Sequence, residues 1–145
     1  MSVSLCASRW RQAWNTGVIR ERAVAIELRF RDGNSEYYPY SWLGPWKHNP
    51  SAGLMLKFTG DVVTLVLIRG SNLGAVLPER GINLTDRGLQ RQRITYIREM
   101  DDAELRRAGR GEPTIDCIEV AEFESQEDLQ EWLRKNAPAF LGNSA

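Results

Sequence analysis

The stretch VVTLVLIRGSNLGAV, residues 62–76, is decisive for the fold that this chain can form. Its first seven residues are apolar or β-branched without interruption, which is typical of a strand buried on both faces. The run ends at Arg69-Gly70, and apolar residues return at Leu73 and Val76. An arginine followed by glycine at this position predicts either a turn where a buried strand reaches the surface or part of a ligand site.

Strands are predicted on both sides of this stretch. The segment RAVAIELRF alternates, so that its apolar residues share one face and its charged residues the other, as in a half-buried strand. Asp32-Gly33-Asn34 then supplies the turn of a hairpin into Ser35–Tyr38. Thr59-Gly60-Asp61 is predicted to join AGLMLKF to VVTLVLI. The apolar residues predicted to face the core from the first strand are Val24, Ile26, Leu28 and Phe30.

Other segments of the chain predict two more strands and three helices. RITYIREM and TIDCIEVAEF have the composition of strands, whereas SNLGAVLPERG fits either a strand or a short helix that closes at Gly81. PYSWLGPWKHNPSAG is rich in proline and is predicted to be an ordered loop. The predicted helices are SRWRQAWNTG after a Ser8 cap, Asp101–Ala108, and QEDLQEWLRKN after a Ser125 cap.

These elements predict an α+β fold. We expect a mainly antiparallel meander in a strongly bent, small-barrel-like sheet, with an N-terminal and a C-terminal helix. The chain is expected to form a single domain over residues 1–145, with a soft internal boundary near residue 81.

Composition favours a soluble, intracellular protein, which we expect to be cytoplasmic. Hydrophobic residues make up 42% and charged residues 26% of the chain, values that are ordinary for globular proteins. No apolar run is long enough to cross a bilayer, and MSVSLCASRWRQAW lacks the layout of a secretory signal. Cys6 and Cys117 lie far apart in sequence and are expected to be thiols.

The net charge of zero conceals an asymmetry. Residues 1–98 carry fourteen Arg or Lys against seven Asp or Glu, whereas residues 99–145 carry five against twelve. Two interpretations stay open. A basic face could bind an anionic partner, or the acidic part could fold back and neutralise the basic part.

Residues suited to catalysis or metal binding are sparse. His48 is the single histidine, and neither cysteine stands at a spacing typical of a nucleophile or a metal ligand. Asp101, Asp102 and Glu104 could ligate a hard cation, although acidic residues are also common at the start of a helix. We therefore expect no enzyme activity, no cofactor and no metal; a small metal-dependent hydrolase or nuclease would need this acidic cluster.

Arginines dominate the segment TDRGLQRQRITYIRE. Arg87, Arg91, Arg93 and Arg98 lie in this segment with Tyr96 between them, and on a strand Arg91 and Arg93 would share a face. Such a face could follow a phosphate backbone while the aromatic ring stacks on a base. The alternative is a solvated strand face whose arginines pair with the acidic residues that follow.

The run Ile68–Val76 resembles the second signature motif of Sm-like (LSm) proteins, in which an apolar residue precedes Arg-Gly and apolar residues follow three and six positions after the glycine. The order of elements over residues 8–77 is also similar. His48-Asn49-Pro50 stands where that family carries an Asp-x-Met-Asn-like element. The resemblance implies a small bent barrel, assembly into a ring and binding of single-stranded, often uridine-rich RNA. Arg69 would contact a base, and Gly70 would permit a sharp turn.

Two functions are therefore predicted. The first is a non-enzymatic binding domain for single-stranded RNA or DNA that uses Arg69, Gly70, Arg87, Arg91, Arg93 and Tyr96. The second is a protein-interaction module or subunit of a larger assembly, because Tyr40, Trp42 and Trp46 lie in a Trp/Pro-rich loop. The tryptophans could instead close one end of the sheet. A homo-oligomer is possible in either case, and no membrane partner is expected.

Overall fold

The computed structural model describes residues 16–19, 21–76, 81 and 83–141, and this part of the chain contains eight strands in two sheets. The strands are β1 (Thr16–Val18), β2 (Ala25–Arg29), β3 (Ser35–Pro39), β4 (Lys47–Asn49), β5 (Gly53–Thr59), β6 (Val63–Arg69), β7 (Ile94–Arg98) and β8 (Cys117–Phe123). The helices are α1 (Asp102–Arg107) and α2 (Gln126–Asn136). Shorter turns are 3-10 helical at Tyr40–Trp42 and Pro138–Phe140 and π-helical at Leu84–Leu89.

Sheet A has the strand order β1-β7-β2-β3. The predicted hairpin is present, since β2 and β3 pair antiparallel and Gly33 has a φ of +92° in the turn. Strand β7 inserts between β1 and β2, antiparallel to β1 and parallel to β2. The predicted meander is therefore wrong for this sheet. Alternation predicts that a strand exists, but it does not say which strand becomes its neighbour.

Sheet B has the order β4-β5-β6-β8, and every neighbouring pair is antiparallel. The predicted β5–β6 hairpin and the predicted strand at β8 are confirmed. The Trp/Pro-rich segment was predicted to be a loop, and this is wrong in part. Lys47–Asn49 adds to the edge of β5 as β4, because these three residues lie between the prolines that interrupt the rest of the segment.

Strand β6 lies in the middle of the molecule, and its side chains are buried on both faces. One face contributes Val66 and Ile68 to a core that also contains Ile26 and Leu28 of sheet A. The other face contributes Leu65 and Leu67 to a second core with residues of α2 and the C-terminal turn, namely Leu129, Leu133, Ala137 and Phe140. The molecule is thus layered as sheet A, sheet B and α2.

The α+β class and the mainly antiparallel pairing are confirmed, but the two sheets are not closed into a barrel. Helix α2 begins after Ser125, whose hydroxyl accepts from the N–H of Asp128, and α1 has the capping box of Asp101 and Glu104. The predicted N-terminal helix lies largely outside the described residues. Its last two residues, Thr16 and Gly17, start β1, and the tail beyond Leu141 is also outside.

Two further sequence predictions are corrected. Val24 was predicted to face the core, but it is 83% exposed because it precedes β2 and lies beyond the end of the apolar layer. The segment after β6 was predicted to be a strand or a helix. Residues 71–76 form turns, and Asn72 has a φ of +55°. Residues 77–80 and 82 lie outside the described part.

Gly70 stands beside Arg69 because the backbone is crowded there. A Cβ atom on Gly70 would lie 1.8 Å from the carbonyl oxygen of Thr114. Hydrogen bonds on both sides fix this approach, since Asp116 donates to the carbonyl of Arg69 at 2.7 Å and Thr114 to that of Ser71 at 2.8 Å. The Arg-Gly step therefore marks the place where β6 passes against the segment that leads into β8.

Replacing Gly70 with alanine should destabilise the protein by roughly 2 kcal/mol or more, because a backbone carbonyl cannot move aside as a flexible side chain can. We expect the melting temperature to fall by about 5–10 °C. Gly44→Ala is the matched control, since its Cβ would lie 3.4 Å from Cε of Lys57, an ordinary contact. Equal melting temperatures for the two variants would contradict this account of Gly70.

Candidate functional site

The solvent side of sheet A carries a set of polar and aromatic side chains that we call the outer face. Ile26 and Leu28 of β2 point into the core, so Glu27 and Arg29 point to the opposite side. Strand pairing places their neighbours on the same side. One row across the sheet is Tyr37, Glu27, Tyr96 and Gly17, and the next row is Ser35, Arg29 and Arg98.

Tyr96 supports an arginine on the outer face. The guanidinium carbon of Arg29 lies 3.7 Å from the centroid of the Tyr96 ring, a close cation–π contact. A Cβ at Gly17 would lie 2.1 Å from Cδ2 of Tyr96, so the ring occupies the space that a side chain at position 17 would need. Tyr96 is 9% exposed, whereas Tyr37 is 66% exposed. Tyr37 is therefore the more accessible ring on this face.

A cleft of about 510 Å³ opens at the end of the outer face where β2 and β7 finish. Three arginines and four carboxylates line it together with polar residues of the β2–β3 hairpin. The charged residues are Arg29, Arg31, Arg98, Glu27, Glu99, Asp101 and Glu104. Because carboxylates outnumber guanidinium groups by four to three, the cleft does not favour a strongly anionic ligand.

Most of these charged groups form hydrogen bonds or ion pairs within the protein. Arg98 donates two hydrogen bonds to Glu104, at 2.9 and 2.7 Å, and the side chain of Glu104 is 5% exposed. This hydrogen bonding raises the pKa of Arg98 above its ordinary value. Glu99 accepts from the backbone N–H groups of Arg31 at 2.8 Å and Ile118 at 2.7 Å. These contacts fix the ends of β7 and β8 to each other and to the hairpin.

Glu27 lies at the centre of the outer face. Burial alone would raise the pKa of its carboxyl group, but hydrogen bonds from Ser35 and Arg29, together with the charge of Arg29, outweigh burial and lower it. The Ser35 hydroxyl lies 2.8 Å from one carboxylate oxygen and Nη2 of Arg29 lies 3.0 Å from the other. Glu27 is thus a charged anchor that orients Arg29 over Tyr96.

Three of the predicted arginines come together at the opposite end of the outer face. Arg87 lies in the π-helical turn, and the N–H of Arg93 donates to the carbonyl of Gly88 at 2.9 Å. Arg91 and Arg93 would share a face if both lay on a strand, and this condition is not met because β7 begins at Ile94. They lie on a tight turn in which Gln92 has a φ of +55°.

Sequence reasoning missed Arg22, which joins this group. The N–H of Ala23 donates to the carbonyl of Gln92 at 2.6 Å, and Arg93 Nε donates to the carbonyl of Ile19 at 2.9 Å. These bonds hold the segment before β2 against the turn before β7. Their separation of some seventy residues in sequence gives no signal of this proximity. We call Arg22, Arg87, Arg91 and Arg93 the arginine cluster.

Arg69 is not part of the arginine cluster. It ends β6 in sheet B and forms an ion pair with Glu119 of β8, with Nη1 2.7 Å from Oε1. Both side chains are nearly half exposed, so this pair contributes little to stability. The structure therefore separates Arg69 and Gly70, in sheet B, from the other predicted nucleic-acid contacts, which border or lie on sheet A.

The aromatic residues predicted to bind a protein partner differ in exposure. Tyr40 is buried, its hydroxyl donates to the carbonyl of Ile94 at 2.7 Å, and burial raises its pKa. Trp46 is half-buried against the main core. Trp42 is 43% exposed, and its ring lies close to Gly60 in the β5–β6 turn. Of these three, Trp42 presents the most surface to a partner.

Other candidate groups have ordinary structural surroundings. Asp101 caps α1 and Glu104 pairs with Arg98, and the described residues contain no group of three or more His, Cys, Asp or Glu side chains arranged to hold a metal ion. His48 is exposed in β4. Burial raises the pKa of Cys117, and Cys6 lies outside the described residues. Within the described ranges, no helix has the length and apolar character needed to cross a membrane.

Comparison of the chain with protein-family models, with curated proteins and with solved structures gave no match in any of the three.

Glu27 should titrate below its ordinary pKa of 4.5. Because its pKa is lower in the folded than in the unfolded protein, its contribution to stability is present above about pH 4.5 and is lost as the pH falls through the folded-state pKa. The carboxyl carbon shift in an NMR titration measures this directly. Ser35→Ala and Arg29→Ala should each raise the midpoint, whereas Lys135→Ala on α2 should not. Midpoints unchanged by the first two variants would contradict the assigned cause.

Proposed function

We propose that this protein is a non-enzymatic, β-rich binding domain for single-stranded nucleic acid. The ligand is expected to bind along the outer face of sheet A, starting from the arginine cluster. The observation that carries the proposal is that hydrogen bonds bring together the segments carrying four arginines, at the end of a sheet face that also presents an exposed tyrosine. The predicted contacts Arg87, Arg91 and Arg93 are retained, Tyr96 is retained as the ring that supports Arg29, and Arg22, Arg29 and Tyr37 are added.

The arginine cluster supplies the positive charge for phosphate groups. No carboxylate of the described residues lies within 4.0 Å of these four guanidinium groups, unlike those of Arg29, Arg31, Arg69 and Arg98. The exposed acidic residues next to them in sequence are Glu21 and Asp86, which leaves a surplus of two positive charges. Arg87 and Arg93 donate to backbone carbonyls, but these bonds leave their charge unneutralised. Guanidinium groups without a carboxylate partner can release counterions from a nucleic acid when they bind its phosphates.

The outer face presents two groups on which bases can stack. Tyr37 is exposed and lies on the same side of the sheet as Arg29, whose guanidinium carbon lies 3.7 Å from the centroid of the Tyr96 ring. An exposed aromatic ring and an oriented guanidinium plane are the two surfaces on which unpaired bases stack. Bases in a duplex are already stacked on each other, so this arrangement favours a single strand.

The two ends of the outer face differ in net charge. The arginine cluster has a positive surplus, whereas the cleft beside Arg98 has none. Phosphates are therefore expected at the cluster and neutral bases towards the cleft. Phosphate contacts give affinity and register, while contacts with base edges give sequence preference.

The likeness to Sm-like proteins is a separate proposal. In that proposal the sheet would be part of a strongly bent barrel-like surface, and Arg69 would contact a base. Its guanidinium would then have to leave Glu119 to bind the ligand.

The alternative function, a protein-interaction module or subunit, is favoured by one observation, the 43% exposure of Trp42. A cytoplasmic location and a homo-oligomer stay predictions from the sequence.

The arginine cluster is tested with a double variant, Arg87→Ala/Arg91→Ala. Fluorescence anisotropy of a labelled oligo-uridine should show binding that weakens roughly tenfold at low salt, with a shallower salt dependence because two phosphate contacts are lost. Arg134→Ala/Lys135→Ala on α2 removes the same charge on the far side of sheet B and should change neither. If the wild-type protein does not bind at low salt, or both double variants weaken binding equally, the proposal is wrong.

Stacking is tested at Tyr37. Tyr37→Ala should weaken binding of the same oligonucleotide by about 1–3 kcal/mol, whereas Tyr37→Phe keeps the ring and should bind like the wild type. The salt dependence should be the same for both variants, because neither change removes a charge. An alanine variant that binds as tightly as the phenylalanine variant would remove Tyr37 from the site.

A further inference from the structure

One edge of sheet A is formed by β3, and the backbone geometry of β3 is defined by hydrogen bonds at both ends. Phe30 donates to the carbonyl of Asn34 at 2.9 Å, and Tyr40 donates to that of Val24 at 2.9 Å. Hydrogen-bonded and non-hydrogen-bonded pairs alternate along an antiparallel ladder. The N–H and C=O groups of Glu36 and Tyr38 therefore point towards β2, and those of Ser35 and Tyr37 point away from it.

These outward groups are available to another chain. Strand β3 is last in the order of sheet A, and no described residue pairs with its outer edge. Ser35, Glu36 and Tyr37 are all exposed. Natural edge strands are commonly protected by lysine, proline or a bulge, but β3 has a regular register and carries a proline only at its last position, Pro39.

The charges beside this edge indicate what would bind. On the side of β3 that faces sheet B, the hydroxyl of Tyr38 donates to Glu36 at 2.6 Å, and Glu122 of β8 acts electrostatically on the same tyrosine. Both carboxylates are on exposed residues, and no lysine or arginine of the described residues lies within 4.0 Å of either. A nucleic acid is repelled by such an edge, whereas a basic chain is attracted to it.

We propose that the β3 edge binds an extended, basic peptide segment of a partner protein by antiparallel strand addition. A peptide residue opposite Tyr37 exchanges both backbone hydrogen bonds with it, and Ser35 continues the ladder. Side chains alternate along the added strand. Lysines or arginines at alternate positions therefore face Glu36 and Glu122, and the residues between them lie beside the ring of Tyr37 on the outer face.

Amide hydrogen exchange, read residue by residue by NMR, tests this inference on the full chain. The probe is an eight-residue acetylated Lys-Val repeat, and the control is the matching Glu-Val repeat. The Lys-Val peptide should protect the amides of Ser35 and Tyr37, and the Glu-Val peptide should not. Protection elsewhere but not at these two amides, equal protection by both peptides, or protection that appears with protein concentration in the absence of peptide would overturn it.

Backbone and charge variants separate the two parts of the inference. Tyr37→Pro removes the outward N–H without removing a bond to β2 and should weaken the Lys-Val peptide about tenfold, whereas Tyr37→Ala keeps the N–H and should bind within about threefold of the wild type. If the proline variant does not fold, the double variant Glu36→Gln/Glu122→Gln tests the proposal instead. Loss of its two negative charges should also weaken peptide binding about tenfold. Unchanged binding in the glutamine variant overturns the proposal.

The two proposed surfaces share the ring of Tyr37, and the glutamine variant distinguishes them. The glutamine variant leaves the arginine cluster intact, so oligo-uridine should bind to it at least as tightly as to the wild-type protein. Loss of peptide binding with oligonucleotide binding retained supports a second surface. Loss of oligo-uridine binding together with peptide binding in the glutamine variant would show one shared surface and would overturn the assignment of the edge to a peptide.

Discussion

Strand β6 has apolar side chains on both faces, and each face has to be covered by another layer. Sheet A covers Val66 and Ile68, and α2 with the C-terminal turn covers Leu65 and Leu67. Burial of this kind is the main favourable term in folding, so the layer order follows from the composition of one strand. Sheet A then has only one face left for solvent, and this outer face is where its polar and aromatic side chains lie.

Ion pairs between the two halves of the chain decide which arginines are available. Arg31, Arg69 and Arg98 from the basic part pair with Asp102, Glu119 and Glu104 from the acidic part. The interpretation that the acidic part folds back on the basic part is therefore realised in part. The acidic part neutralises the arginines near β8 and α1, and among the described residues it forms no ion pair with the arginine cluster at the other end of sheet A.

The sequence predicted local elements well and their partners poorly. The β2–β3 and β5–β6 hairpins, the capped helices and the buried character of β6 all follow from residues close together in the chain. The insertion of β7, the exposure of Val24 and the meeting of Arg22 with Arg93 depend on contacts between distant segments, for which one sequence gives no pattern. The same applies to the candidate site. Arg87, Arg91, Arg93 and Tyr96 were found as a local cluster, whereas Arg29 and Tyr37 needed the register of sheet A.

The position of β7 between β1 and β2 has a consequence for how the chain folds. Neither early strand can take its final neighbour until residues 94–98 have been synthesised and have returned to them. The intervening segment contains β4, β5 and β6, so a hairpin of sheet B can form while sheet A is still open. Pairing of strands so far apart in sequence closes long loops and slows folding. We infer that the β5–β6 hairpin forms early and that sheet A is completed last, against strands of sheet B that have already paired.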